Sequence, residues 1–192
     1  MTMFSADADL FFLAPNTPPA APGSFSTLYL LRRDITTCLG NDPDTGERPK
    51  YAVLLPGAMA ILAGIDLLAK FYAGNDDVAA VGKRFRGFIA RYFHGAKAKD
   101  QEVIYQLRNA LLHSFGLYSG TKKGVYRFHL SMMHISMLVY HRPPDDYDVD
   151  IISLLRAFNG AIEAYSKEFQ SNVDLQTKFA LMFQDYGRIY IS

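Results

Sequence analysis

The chain has 192 residues, of which 49% are hydrophobic and 20% charged, and this balance suits one globular domain with a single core. Its one cysteine, Cys38, rules out an internal disulfide and a cysteine-rich zinc site, and it fits a reducing compartment. The opening residues 1–9 include Asp7 and Asp9 and lack the basic start of a secretory signal. We therefore expect a cytoplasmic protein.

Charge is unevenly distributed along the chain, although the formal net charge is only +1. Residues 78–127 carry ten Lys and Arg residues and two acidic ones, a local net charge of +8, which leaves −7 for the rest. This pattern predicts either a face that attracts RNA or solvated helix faces that are rich in basic residues. Under the first interpretation, the RNA-binding side chains are Lys83, Arg84, Arg86, Arg91, Lys97 and Lys99.

Proline and glycine divide the chain into a short arm and a larger helical domain. Residues 1–24 are interpreted as a flexible Pro/Ala-rich arm, because the prolines of 14–24 remove backbone donors and fix φ. Residues 25–192 then form a single domain. Its first predicted helix covers 25–39 and is followed by a loop over 40–49.

Three more helices are predicted in the middle of the chain. The apolar run 51–65 is shorter than the roughly 20 residues of a membrane span, so we assign it to a core helix over 51–72 and expect no membrane association. The next helix, 78–93, is amphipathic and basic. A fourth helix begins near Lys99 or Asp100 and has the most regular helical spacing of apolar residues.

The pattern changes after the fourth helix to one that is typical of strands. Residues 125–130 alternate between apolar and polar side chains, and 135–140 form a second β-prone run. Turn-forming residues at 119–124 and 142–146 flank this region. We therefore predict a small β-hairpin.

Two helices complete the predicted fold. The fifth is capped by Asp148 or Asp150 and ends near Phe169, and the last covers 175–185. The expected fold class is therefore mainly α, a bundle of five to six helices with a small β-hairpin insertion.

The sequence Arg-Asn-Ala-Leu-Leu-His, residues 108–113, places three polar side chains in the apolar fourth helix. Asn109 and His113 are four residues apart and share a helix face. Arg108 lies five residues from His113, about 140° around an ideal helix, so the two meet only if the arginine stem curls back or the helix loosens before Ser114 and Gly116. Leu107 and Leu111 occupy the opposing apolar stripe, which predicts that the polar trio borders a groove.

These residue types suit chemistry on a phosphate. An arginine fork binds oxyanions, and histidine transfers protons near neutral pH. Asp66 interrupts the apolar second helix and needs a cationic partner, for which we propose Arg108 or Lys70. Either a simple salt bridge or a supporting role at the site would account for Asp66.

The Arg-Asn-x-x-x-His motif resembles the Arg-polar-x-x-x-His signature of HEPN domains, small helical proteins that include many metal-independent ribonucleases. The resemblance implies a homodimer in which two such motifs share a cleft. His113 would then transfer protons to and from RNA, Arg108 would stabilise the charge growing on the phosphate, and Asn109 would orient His113 or the phosphate. It also implies that no metal or cofactor is needed, and it suggests a role in toxin, phage-defence or stress responses with an antitoxin-like protein partner.

Two other interpretations of the motif stay open, and a metal site is not expected. Many HEPN-like proteins are catalytically silent, so the same dimer can be a module that binds RNA, a nucleotide or a protein partner. The polar residues can also serve only to align helices. His129, His134 and His141 offer few ligands for a zinc ion, and we expect strand-surface histidines and no metal site.

Overall fold

A computed structural model describes residues 5–19, 23–40, 52–122, 124–132 and 137–190. Within these residues the chain is 63% helical and 16% strand, with seven helices and six strands in two sheets. The fold is therefore mixed α and β, and the predicted mainly helical bundle with one small hairpin is wrong. The prediction failed because several strands are short or rich in aspartate, and such segments resemble turns in the sequence.

The helices and strands are labelled in chain order. The helices are α1 (Ser5–Phe11), α2 (Thr27–Leu39), α3 (Leu54–Ala73), α4 (Val81–Tyr92, preceded by a 3-10 turn at Val78–Ala80), α5 (Ala98–Ser114), α6 (Ile151–Phe169) and α7 (Val173–Tyr186). The strands are β1 (Ser24–Ser26), β2 (Tyr118–Thr121), β3 (Gly124–Ser131), β4 (Val139–Arg142), β5 (Asp146–Asp150) and β6 (Arg188–Tyr190). All six predicted helices are confirmed as α2 to α7, whereas α1 was not predicted.

Side-chain caps explain where several helices begin. The Ser26 hydroxyl accepts a hydrogen bond from the Tyr29 amide and starts α2. Asp150 accepts from the Ser153 amide at 2.8 Å and starts α6, which decides between the two predicted caps. Asn172 does the same for α7.

Helix α3 is the centre of the fold. By length and composition its 20 residues are apolar enough to cross a membrane, yet more than half of its most apolar window is buried inside the protein. It packs against α2, α4, α5, α6 and α7. Gly64 lets α6 approach closely, because a Cβ at this position would lie 2.5 Å from Cζ of Phe158. The prediction of a core helix in this part of the chain is confirmed.

The segment that was predicted to be a flexible arm contains a helix packed on the core. Phe11, at the end of α1, is fully buried and its ring contacts Phe71 and Phe179. Strand β1 pairs with β6, so the segment that follows the predicted arm meets the C-terminal strand in a two-stranded sheet. The predicted loop over 40–49 lies outside the described residues beyond Gly40.

The larger sheet has the strand order β2-β3-β5-β4. Strands β3 and β5 are parallel, and the other neighbours are antiparallel. The predicted hairpin between the two β-prone runs is wrong, because β5 lies between β3 and β4. Phe128 and Val149 are buried on one face, which places the sheet against α5 and α6. The other face carries ion pairs such as Arg142 with Asp148.

Candidate functional site

Helix α5 brings Arg108 and His113 into direct contact. Nη1 of Arg108 lies 2.6 Å from Nε2 of His113 while residues 98–114 stay helical, so the arginine stem curls back to reach the imidazole. The helix ends just after this pair, where Phe115 adopts a left-handed conformation with φ of 48° and the Gly116 amide donates to the Ala110 carbonyl. His113 is therefore exposed in the last turn of a helix whose other face is buried.

Asp66 anchors the guanidinium from the neighbouring helix α3. Nη2 of Arg108 donates to Oδ2 of Asp66 at 2.9 Å, and the two side chains are only 11% and 16% exposed. Arg108 is thus the partner of Asp66, whereas Lys70 pairs with Asp76 at 3.1 Å. Oδ1 of Asp66 and Nε of Arg108 are buried without a hydrogen-bond partner. The ion pair therefore holds two nearly buried charges in place.

The hydrogen bond from Arg108 indicates which ring nitrogen of a neutral His113 carries the proton. A guanidinium only donates, so Nε2 of His113 accepts from Nη1 and the neutral ring carries its proton on Nδ1. Nη1 also donates to Oδ1 of Asn109 at 3.2 Å. Asn109 and His113 therefore share one nitrogen of a guanidinium that Asp66 has fixed from the other side. Arg108, Asn109, His113 and Asp66 are named the Arg108 cluster below.

This arrangement can exchange its partners when an anion arrives. A phosphate oxygen is a stronger acceptor for a guanidinium than a neutral imidazole or amide. A phosphate bound at Nη1 would release the Nε2 lone pair of His113, which then becomes a proton acceptor beside the bound anion. Because Asp66 holds Nη2, the guanidinium would stay in position during this exchange.

Exposed apolar side chains lie next to the cluster along the chain. Phe115 is 78% exposed, Tyr118 is 55% exposed and Leu117 is 37% exposed. This surface was not predicted from the sequence, although Gly116 marks the helix end that exposes it.

The six basic residues predicted to bind RNA do not form one free surface. Arg84 is buried, and its guanidinium bonds to the Asp76 carboxylate and the Asp77 carbonyl. Two of the others are held in ion pairs, Arg86 with Glu102 and Arg91 with Glu168. Lys83 is exposed on α4. At the start of α5, Lys97 precedes the helix and Nζ of Lys99 lies 3.1 Å from Nδ1 of His141. Lys97 and Lys99 lie roughly 20 Å from His113, at the helical rise of 1.5 Å per residue.

A second charged cluster, not predicted from the sequence, forms around Asp76 after the end of α3. Its carboxylate accepts hydrogen bonds from Lys70, Arg84 and Tyr186. Burial raises the pKa of Asp76, but the bonds from Tyr186 and Lys70 outweigh it and hold the pKa below its usual value. Tyr186 is 110 residues away in the chain, so no local pattern pointed to this cluster.

The histidines of the sheet region have other partners than a metal. Nε2 of His129 lies 3.1 Å from Asp146, and His141 contacts the Pro144 carbonyl and stacks on Tyr147. His134 lies outside the described residues. Among the residues that the structure covers, no group of three or more His, Cys, Asp or Glu side chains is arranged to hold a metal ion.

Comparisons with protein-family models, with curated proteins and with solved structures found no match to this chain.

Proposed function

We propose that the protein is a HEPN-like endoribonuclease that cleaves RNA without a metal ion, with Arg108 and His113 as its catalytic residues. The observation that carries this proposal is the 2.6 Å contact between Nη1 of Arg108 and Nε2 of an exposed His113. The anchoring of Arg108 by Asp66 supports it, because a fixed guanidinium is pre-organised for the charge of a transition state.

In the proposed reaction, a bound phosphodiester takes the place of His113 at Nη1 of Arg108. Neutral His113 accepts the proton of the ribose 2′-hydroxyl through Nε2, and the 2′-oxygen forms a bond to phosphorus. The bond from phosphorus to the 5′-oxygen breaks, and that oxygen takes a proton from a protonated imidazole. The products are a 2′,3′-cyclic phosphate and a 5′-hydroxyl end.

We further propose that the protein acts as a homodimer in which two Arg108 clusters face one cleft. The second copy then supplies the imidazolium that protonates the leaving 5′-oxygen, while Asn109 orients the phosphate or His113. The exposed Phe115, Leu117 and Tyr118 beside the cluster support an intermolecular contact there. In the cell, the proposed setting is a toxin, phage-defence or stress response that an antitoxin-like partner controls.

The decisive experiment measures cleavage of a labelled RNA by the full chain in the presence of EDTA. We expect His113→Ala to lose about 100-fold or more of the activity, because it removes the proton-transfer group. His129→Ala is the matched control, since His129 is also exposed but lies on strand β3 of the larger sheet. A substrate with 2′-deoxyribose at the cleaved position should stay intact. Full activity of His113→Ala, or cleavage of the deoxy substrate, would contradict the proposal.

A catalytically silent HEPN-like module is the second candidate, and one observation favours it. The guanidinium of Arg108 is already bonded to Asp66, Asn109 and His113, as in a cluster that only aligns helices. Such a module would bind RNA, a nucleotide or a protein partner as a dimer. It would show salt-dependent RNA affinity without cleavage products, and light scattering would show whether the chain is dimeric.

A further inference from the structure

A cleft of about 580 Å³ lies at the opposite end of α5 from the Arg108 cluster. Its walls are the turn between α4 and α5, the residues that lead into β4, and the exposed side of α6. Sites for small organic ligands have volumes of roughly 300–1,000 Å³, so the cleft is large enough for one. We propose that this cleft binds a small organic phosphate that carries a flat aromatic ring.

Lys97 and Arg156 give the cleft its positive charge, and a histidine lies beside them. His94, Lys97 and Arg156 line it, and all three are exposed. None of them has a carboxylate partner within the part of the chain that the structure describes, in contrast to Arg86 and Arg91. Cations that converge on an open cavity without acidic partners favour an anionic ligand.

Asp100 is the one acid among the described lining residues and offsets one of the two cations, so the cleft keeps a net positive charge. Oδ2 of Asp100 accepts a hydrogen bond from the backbone amide of Lys97 at 2.9 Å and so caps the start of α5. The first turn of this 17-residue helix also presents backbone N–H groups and the positive end of the helix dipole. Phosphate is the common ligand that accepts both kinds of donor, from arginine or lysine side chains and from amides.

The remaining walls suit an apolar body. Leu138, Val139 and Ala157 line the cleft together with the basic residues. Gly160 of α6 also faces open space, because a Cβ built there meets no atom within 4 Å. A flat ring can therefore lie on this part of α6 while its phosphate reaches Arg156 and Lys97. This inference does not rest on the proposed ribonuclease activity, since the two sites are about 22 Å apart along α5.

The test is a calorimetric titration of the full chain with adenosine monophosphate, adenosine and inorganic phosphate. We expect saturable binding of the monophosphate and at least about tenfold weaker binding of either fragment, because each lacks half of the contacts. Arg156→Gln should weaken binding of the monophosphate by about tenfold or more. Arg33→Gln is the matched control, because Arg33 is partly exposed on α2 and does not line the cleft.

A second variant tests the cavity and not the charge. Gly160→Phe fills the open space beside α6 and should abolish binding, while Gly160→Ala should keep it and confirm that α6 tolerates a side chain there. Circular dichroism shows whether each variant is folded. If Gly160→Phe is unfolded, Lys97→Gln takes its place and should weaken binding in the same way as Arg156→Gln.

Titration with a 5′-phosphorylated oligoribonucleotide distinguishes the two sources of such a ligand. Tighter binding of the free monophosphate identifies a metabolite, and tighter binding of the oligonucleotide identifies an RNA end; both support the proposed chemistry. The proposal is overturned if neither probe binds saturably at concentrations up to about 10 mM. It is also overturned if Arg156→Gln binds as tightly as Arg33→Gln.

Discussion

Two buried arginines pair with aspartates near the central helix, but their surroundings differ. Arg84 is 5% exposed and bonds to Asp76, whose carboxylate also accepts from Lys70 and Tyr186. Arg108 is 9% exposed and bonds to Asp66, for which it is the one partner within the described residues. In the first cluster, Arg84, Lys70 and Tyr186 all bond to the Asp76 carboxylate. In the second, Arg108 also contacts a histidine on the surface.

This comparison separates a structural arginine from one that is suited to function. The donors of Arg84 are committed to a carboxylate and a backbone carbonyl inside the protein. Arg108 instead shares Nη1 between Asn109 and His113, two neutral acceptors that an anion can replace. Burial of an arginine beside an aspartate is therefore not enough to indicate a functional site. The guanidinium must also have donors that an anion from solution can reach.

The largest effect on stability is expected for Arg108→Ala. The substitution leaves the Asp66 carboxylate nearly buried without a cation, which should lower the free energy of unfolding by about 3–5 kcal/mol. Urea denaturation measures the loss. Arg91→Ala breaks the exposed ion pair with Glu168 and should have a much smaller effect than Arg108→Ala.

A rescue variant makes this prediction specific. Adding Asp66→Asn to Arg108→Ala removes the unpaired charge and should restore part of the lost stability. A double variant that is no more stable than Arg108→Ala would show that lost packing, and not the unpaired carboxylate, accounts for the effect.

A smaller loss is expected for Arg84→Ala, about 2 kcal/mol. Asp76 keeps its bonds from Lys70 and Tyr186 after the substitution, so its charge is not left unpaired. Denaturation of both arginine variants under one condition tests the ranking. Equal losses would mean that the number of partners does not distinguish the two clusters.

The smallest effect concerns how the free energy of unfolding depends on pH in acid solution. The pKa of Asp76 is below its usual 3.8, because the bonds from Tyr186 and Lys70 outweigh burial. Its contribution is therefore complete at neutral pH and is lost as the pH falls below about 4. We expect Asp76→Asn to reduce the dependence of stability on pH between about 5 and 2, measured by thermal unfolding in a pH series.

Some acid dependence should remain in that variant. Burial raises the pKa of Glu168, but the bonds from Arg91 and Tyr92 lower it, and the net result is a pKa below the usual value. Glu168 therefore also loses its contribution to stability as the pH falls. A profile of Asp76→Asn that matches the unsubstituted protein at every pH would contradict the assigned role of Asp76.

Much of the helical part of the fold was predictable from the sequence. Apolar spacing and caps identified α2 to α7. Arg108 was one of two cations predicted for the buried Asp66 carboxylate, and a curled stem was one of two ways in which it could reach His113. The sheet was not predictable in the same way. Three of the five residues of β5 are aspartates, which favour turns and caps, and only pairing with β3 and β4 makes this segment a strand.

The sequence by itself determined the helices of the core and the polar motif on α5, because periodicity, capping and chemical type are local properties of a chain. The tertiary structure alone decided which charges are free. Arg84 and Arg156 are both arginines on amphipathic helices, yet one is buried against Asp76 and the other lines a cleft. That difference depends on which distant residues pack beside each side chain, so it cannot be predicted from the local spacing of residues.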